Sequence, residues 1–125
     1  MSERVVIVTG ASQGIGAATA EKFCQQGEIT YFVSRGGNPA LVEKLQKEKL
    51  HAFSYNCDVS NEEQVKAMVH AIVQKHGKID VLINCAGIVR SYKIEDISLK
   101  EWNEVLASNL TSQFLMCKHT VPIMK

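Results

Sequence analysis

The chain has 125 residues, 46% of them hydrophobic and 22% charged, which suits one compact core and excludes a disordered composition. With 14 Lys and Arg against 13 Asp and Glu the formal charge is +1, so no strong field recruits nucleic acid or an anionic membrane. The opening Met1-Ser2-Glu3-Arg4 leads into an apolar run too short for a secretory signal or a bilayer span, and a cytoplasmic location is expected.

Val5-Val6-Ile7-Val8 is β-branched and apolar throughout, the pattern of a strand covered on both faces of a parallel sheet. Thr9-Gly10-Ala11-Ser12-Gln13-Gly14-Ile15-Gly16 follows it directly and opens a helical pattern. A glycine cluster alone reads as an ordinary turn. Between a buried strand and a helix N-terminus it reads as a phosphate-binding turn, because orphan N–H groups and the positive end of the helix dipole favour a pyrophosphate. Missing Cβ atoms at Gly10, Gly14 and Gly16 would let backbone and ligand approach closely. The spacing G-x-x-x-G-x-G differs from the general dinucleotide fingerprint G-x-G-x-x-G, so the flanking elements carry the inference.

Ile15, Ala18, Thr19 and Phe23 predict a first helix over 14–26, ended by Gly27. Residues 29–33 predict a second strand, and Asn38-Pro39 an N-cap and first-turn proline for a helix with Leu41, Leu45 and Leu50. A short third strand is expected over 51–56. Ser60-x-x-Glu63 then reads as a capping box for a helix with Val65, Met68, Val69, Ile72 and Val73, closed by Gly77. Residues 79–83 predict a fourth strand. Ser98-x-x-Glu101 caps a long last helix with Trp102, Val105, Leu106, Leu110, Phe114 and Leu115. Cys24, Cys57, Cys85 and Cys117 contain no C-x-x-C pair, and His51, His70, His76 and His119 form no ligand cluster with them. Reduced cysteines and no metal are expected.

The order βαβαβαβα implies an α/β fold, a doubly wound, Rossmann-like parallel sheet with ligands at the carboxyl ends of its strands. No linker, repeat or low-complexity tract divides it, so residues 1–125 are expected to form one dinucleotide-binding domain. Four strands are half of such a fold, and the chain is expected to be truncated, its C-terminal half missing.

Thr9-Gly10-x-x-x-Gly14-Ile15-Gly16, Asp58-Val59, Asn84-Cys85-Ala86-Gly87 and Ser108-Asn109-Leu110-Thr111, in this order, resemble the short-chain dehydrogenase/reductase family over essentially the entire chain. Within it, residues 84–90, Glu101-Trp102-Asn103 and Ser108-Asn109-Leu110 resemble the 3-oxoacyl-[acyl-carrier-protein] reductases. The resemblance implies that Gly10, Ser12, Gln13 and Ile15 cradle the cofactor phosphates and adjacent ribose, and that Asp58 and Val59 meet the adenine. Read physically, Asp58 can accept from an exocyclic amine, or it can cap the helix that follows. By resemblance, Asn84 braces the strand ends while Ala86 and Gly87 let the ribose pass. Cys85 replaces the second Asn of the family's Asn-Asn-Ala-Gly and loses an amide's bonding capacity. Asn109, the one expected catalytic residue, sits among apolar neighbours where an amide is disfavoured unless it has a task. The resemblance makes it bend the helix and hold a water in a proton relay; the alternative is an asparagine turned to solvent.

Ser34-Arg35 stands where an acidic residue would accept from the ribose hydroxyls of NAD. A guanidinium and a hydroxyl suit the 2′-phosphate of NADP, so NADP is expected and NAD less so. Gln13 stands where many NADP-preferring relatives carry a basic residue, and Arg35 could equally be a surface arginine without a role. The family's chemistry needs a Ser, a Tyr and a Lys four residues beyond that Tyr. Tyr31, Tyr55 and Tyr92 are followed at that distance by Arg35, Val59 and Asp96, so the triad is absent from these residues. The resemblance implies an NADP-dependent carbonyl reductase acting on a 3-oxoacyl thioester or similar ketone, free or linked to acyl-carrier protein, homotetrameric or homodimeric at full length. Alternatives are a non-catalytic nucleotide-binding or interaction protein, and a family dehydrogenase for a sugar, steroid or hydroxy acid. Arg90 and Tyr92 could border the substrate cleft.

Overall fold

The computed structural model describes residues 3–88 and 93–125. The elements run β1 (Val5–Thr9), α1 (Gly14–Gln25), β2 (Ile29–Ser34), α2 (Pro39–Lys47), β3 (Ala52–Asn56), α3 (Glu62–His76) and β4 (Val81–Ile83). A single 3₁₀ turn (Ile94–Asp96), α4 (Leu99–Leu106), a π turn (Ala107–Thr111) and α5 (Ser112–Met124) complete them. All strand pairs are parallel, in the order β3-β2-β1-β4, with Val5 opposite Ile29 and Val6 opposite Val81.

Every residue of β1 is buried, and its alternating side chains divide the core in two. Val5 and Ile7 join Tyr31 and Val33 under Val65, Met68 and Ile72 of α3 and Leu115 and Met116 of α5. Val6 and Val8 join Phe32 under Ala20 and Cys24 of α1 and Val42 and Leu45 of α2. Helices on both faces of a parallel sheet make the α/β, doubly wound architecture expected from the alternation of elements. The amino ends of β1 and β4 are pinned together: the Val5 N–H donates to Asp80 Oδ2 at 2.8 Å, and the Asp80 N–H to the Val5 carbonyl at 2.9 Å.

Local details depart from the periodicity reading. α1 buries Gly16, Ala20 and Cys24, whereas Ile15 is 81% exposed, because its first turn presses on the Gly10 backbone through a position without a Cβ. α2 stops at Lys47, so Leu50 lies beyond it, and its buried residues are Val42 and Leu45. The capping box at Ser60 does not form. Asn61, one residue later, caps α3 by accepting from the Gln64 N–H at 3.1 Å, and the Ser60 hydroxyl turns back to donate to Asp58 Oδ1 at 2.6 Å. Gly77, at φ +78°, closes α3 as expected. The capping box at Ser98 does form, with Ser98 Oγ accepting from the Glu101 N–H and donating to Glu101 Oε1. The long last helix is interrupted by the π turn around Asn109, a wider turn that releases carbonyls. Ser112 Oγ donates to the Ser108 carbonyl at 2.6 Å and Gln113 Nε2 to that of Asn109 at 3.0 Å.

Candidate nucleotide site

The carboxyl ends of β1, β2, β3 and β4 open onto a cleft of about 260 Å³ that includes Gly10, Ser12, Arg35, Asp58, Ala86 and Gly87 in its wall. Ser34, Val59 and Ser108 also face it. Gln13, Gly14 and Ile15 form an exposed rim beside it, and Asn84 and Asn109 stand behind it. Arg90 and Tyr92 lie outside the described residues.

Three glycines of the turn serve in different ways. Gly10 has φ +65°, and a Cβ there would lie 2.5 Å from the Cys85 carbonyl oxygen, so the chain crosses β4's exit at backbone distance. Gly16 is closed in by the Gly10 carbonyl, so the first turn of α1 also rests on bare backbone. Gly14 also has a left-handed φ, +62°, but a Cβ would find open space there. A side chain at Gly14 would be strained by its φ and would project away from the turn.

Thr9 supports the opposite wall, a part that its place at the head of the glycine motif does not by itself reveal. Its Oγ1 accepts from the N–H groups of both Cys85 and Ala86, each at 3.1 Å. Asn109 supplies the next support: Oδ1 accepts from the Ile88 N–H at 2.7 Å and Nδ2 donates to the Ile88 carbonyl at 2.9 Å. Both ends of its amide are thus given to the strand β4 exit, and neither is turned to solvent. A Cβ on Gly87 would sit 3.0 Å from Asn109 Oδ1, so the helix with the π turn packs directly against this backbone. Asn84 Nδ2 reaches Cys117 Sγ on α5 at 3.8 Å.

On the β2–β3 side, Asp58 does not cap α3, whose cap is Asn61. Asp58 Oδ1 accepts from the N–H and hydroxyl of Ser60 in a local turn, while Oδ2 faces Arg35 Nη2 at 3.8 Å across the cleft mouth. The Ser60 hydroxyl, then its N–H and the Arg35 guanidinium hold the Asp58 carboxyl below its ordinary range, against an opposing effect of burial. The Asp58 N–H donates to Gln64 Oε1 at 2.8 Å, a support from α3 that spacing gives no sign of. Burial, with Asp58 adjacent, pushes the Cys57 thiol up to about 11, so it lines the cleft as an uncharged group. Val59 is buried in the core with only its edge toward the cleft. The Ser34 hydroxyl donates to the Gly37 carbonyl at 2.9 Å, which leaves its oxygen lone pairs able to accept. Arg35 is largely exposed.

A cleft at the strand ends, a helix N-terminus beneath a bare glycine turn and an exposed guanidinium form an arrangement able to hold a large anionic ligand. Among the described residues no three His, Cys, Asp or Glu side chains cluster as metal ligands, and no helix is long and apolar enough to cross a membrane.

The model of the short chain dehydrogenase family matches residues 4–125. The chain is 37% identical over 117 residues to D-threitol dehydrogenase from Mycolicibacterium smegmatis, covering 92% of this chain and 45% of that protein. It is 34% identical over 123 residues to 3-oxoacyl-[acyl-carrier-protein] reductase from Thermotoga maritima, covering 97% and 50%. A metagenomic short-chain oxidoreductase solved in complex with NADP superposes with a TM-score of 0.92 at 31% identity, covering 99% of this chain and 57% of that one. The chain thus spans about half the length of the curated relatives it matches. With the four-stranded sheet and the glycine turn in place, these likenesses mean that the chain belongs to the short-chain dehydrogenase/reductase family.

Proposed function

We propose that this chain is the cofactor-binding part of an NADP-dependent carbonyl reductase. The observation that carries the reading is Arg35 at the mouth of the cleft, where recognition of NAD would call for a carboxylate accepting from the ribose. The residues fit the cofactor. The turn at Gly10–Gly16 would receive the pyrophosphate on its outer, Gly14 side, and Asp58 and Val59 would border the adenine. Ser34 and Arg35 would meet the 2′-phosphate, and Asn84, Ala86 and Gly87 would flank the nicotinamide end. Arg35 would exchange a single, solvent-screened contact with Asp58 for a charged fork on phosphate.

Bound NADPH supplies a hydride for a carbonyl carbon. Asn109 then acts by holding the Ile88 backbone beside the cofactor. Its side-chain oxygen and one of its two Nδ2 hydrogens are given to Ile88, so a water-holding role would fall to the second Nδ2 hydrogen or to its backbone carbonyl, which also accepts from Gln113. Among the described residues the proton donor is not matched: Tyr31 is buried beside His76 of α3, and Tyr55 lies on the same side of the sheet, away from the cleft. The chain by itself is therefore a binder without turnover, and its activity in a cytoplasmic homo-oligomer requires a Ser, Tyr and Lys from elsewhere. A 3-oxoacyl thioester fits the likeness to the reductase from Thermotoga maritima. A dehydrogenase for another alcohol is the second reading, favoured by the likeness to D-threitol dehydrogenase.

Titration calorimetry of NADPH and NADH against the chain tests the reading. NADPH should bind more tightly, and Arg35→Asp should lower or invert that ratio by removing a guanidinium and adding a repelling carboxylate. An unchanged ratio in the variant would overturn the assignment of Arg35.

A further inference from the structure

Resting on the nucleotide reading above, we propose that Asn38 is a positioning residue that locks the glycine turn and the Arg35 loop into one rigid receptor for a ligand spanning both. Motif spacing gives Asn38 only as the cap of α2, and it does fill that role, Oδ1 accepting from the Leu41 N–H at 3.4 Å. Its Nδ2 does something else. It donates to the Ala11 carbonyl at 2.9 Å and reaches that of Ser12 at 3.4 Å, 27 and 26 residues away in sequence. The Ala11 N–H meanwhile donates to the Val33 carbonyl at 3.1 Å. The two polar groups of Ala11, which is fully buried, are thus held by the end of β2 and by the β2–α2 connection that follows it.

That connection is itself braced. The Gly37 N–H donates to the Ser34 carbonyl at 3.2 Å and Ser34 Oγ returns a bond to the Gly37 carbonyl at 2.9 Å, closing the turn that carries Arg35. The Asn38 N–H donates to Ser54 Oγ of β3 at 2.8 Å. Gly37 has φ +63° and its missing Cβ leaves space that Ser54 Oγ and Asn56 Oδ1 occupy, so the loop lies flat on β3. Asn38 is the side chain where this braced loop meets the turn. A ligand whose two charged groups rest on the two loops binds a receptor whose spacing is already set, and ordering it on binding costs nothing further. A ligand touching only one loop gains nothing from the lock.

Asn38→Ser tests this, since serine is an equally good helix cap, carries no charge and cannot reach the Ala11 and Ser12 carbonyls. NADPH should bind the variant about ten-fold more weakly, the scale of one to two net hydrogen bonds, while adenosine 2′-monophosphate should bind both proteins alike. The Ala11 amide should exchange faster with deuterium by a similar factor, with the Val42 and Leu45 amides of α2 unchanged. Equal NADPH affinity in the two proteins, or an equal loss for the monophosphate, would overturn the positioning role. Unchanged Ala11 exchange would overturn the lock whatever binds. Failure of the unsubstituted chain to bind NADPH would instead overturn the nucleotide reading, leaving the exchange result to decide the lock.

Discussion

Along β1 and β2 the sheet is covered on both faces, and the loops leaving these strands are tied to each other by backbone and side-chain bonds. Along β4 the three strand residues are only half-buried, and among the described residues the strand pairs with β1 alone. The helices beyond it carry Trp102, Leu110 and Phe114 at 55%, 64% and 61% exposure. One side of the molecule has spent its apolar residues on its own core; the other presents them outward, beside an unpaired strand edge. The β1–β2 side ties its loops together by internal bonds, while the β4–α5 side leaves apolar side chains exposed beside a half-buried strand.

The largest expected effect lies where the finished side has no tolerance. Gly10→Val puts a branched side chain at φ +65° and 2.5 Å from the Cys85 carbonyl, and should cost about 3 kcal/mol or more through strain and overpacking. Gly14→Val meets only the left-handed penalty of about 1–2 kcal/mol, so the fold should survive. Its side chain points into the space proposed for the pyrophosphate, so nucleotide binding should vanish with helical content intact. Urea unfolding followed by circular dichroism, with calorimetry on whatever stays folded, separates the two. Equal unfolding midpoints for the two variants would contradict the distinction between a packing glycine and a ligand-facing one.

The open side should respond in its state of association rather than in its stability. The chain is expected to self-associate through the β4 edge and the exposed face of the last helix. Leu110→Glu with Phe114→Glu places two charges one turn apart on that face and should shift the mass distribution toward monomer. Because both side chains are exposed, the unfolding midpoint should move by no more than about 0.5 kcal/mol. Analytical ultracentrifugation checks it; an unaltered distribution would assign association to the β4 edge alone.

The same contrast explains what could be read from sequence. The succession of elements, the helix positions and the glycine turn were legible because buried β-branched runs, proline at a first turn and glycine at an end each admit few conformations. The capping box at Ser60 failed because the neighbouring Asn61 is an equally good cap and the helix starts one residue later, a choice that spacing cannot decide. The buried face of α1 was misjudged because its closest contact is made by a residue with no side chain, Gly16, leaving the larger Ile15 outside. Asn109 was recognised as an amide with a task, yet the identity of the task, two bonds to Ile88, depends on a packing 21 residues distant. Thr9 was read only as part of the glycine motif and Gln64 not at all, since a hydroxyl and a helix amide carry no local sign of the backbone they support.

The smallest effect expected is a pH dependence seated on the covered side. His76 Nε2 lies 2.8 Å from the Tyr31 hydroxyl, with the Tyr31 and Phe53 rings stacked beside it and Lys75 over Phe53. Burial, and secondarily the Lys75 charge, lower the His76 pKa from its ordinary 6.5, so the folded chain disfavours the imidazolium relative to the unfolded one. A histidine depressed in this way contributes stability that is fully present above 6.5 and is lost as the pH falls through 6.5 toward the folded value. Glu62, at the opposite end of α3 and held down to about 2 by the hydrogen bonds of Lys118 and His119, stays charged throughout that window and adds its own loss only in stronger acid, below about 4.5. Urea midpoints should therefore decline gently from pH 7 to 5.5 in the wild-type chain. His76→Gln, which keeps a neutral polar group beside Tyr31, should flatten that decline, and a slope of wild-type size in the variant would place the titrating group elsewhere.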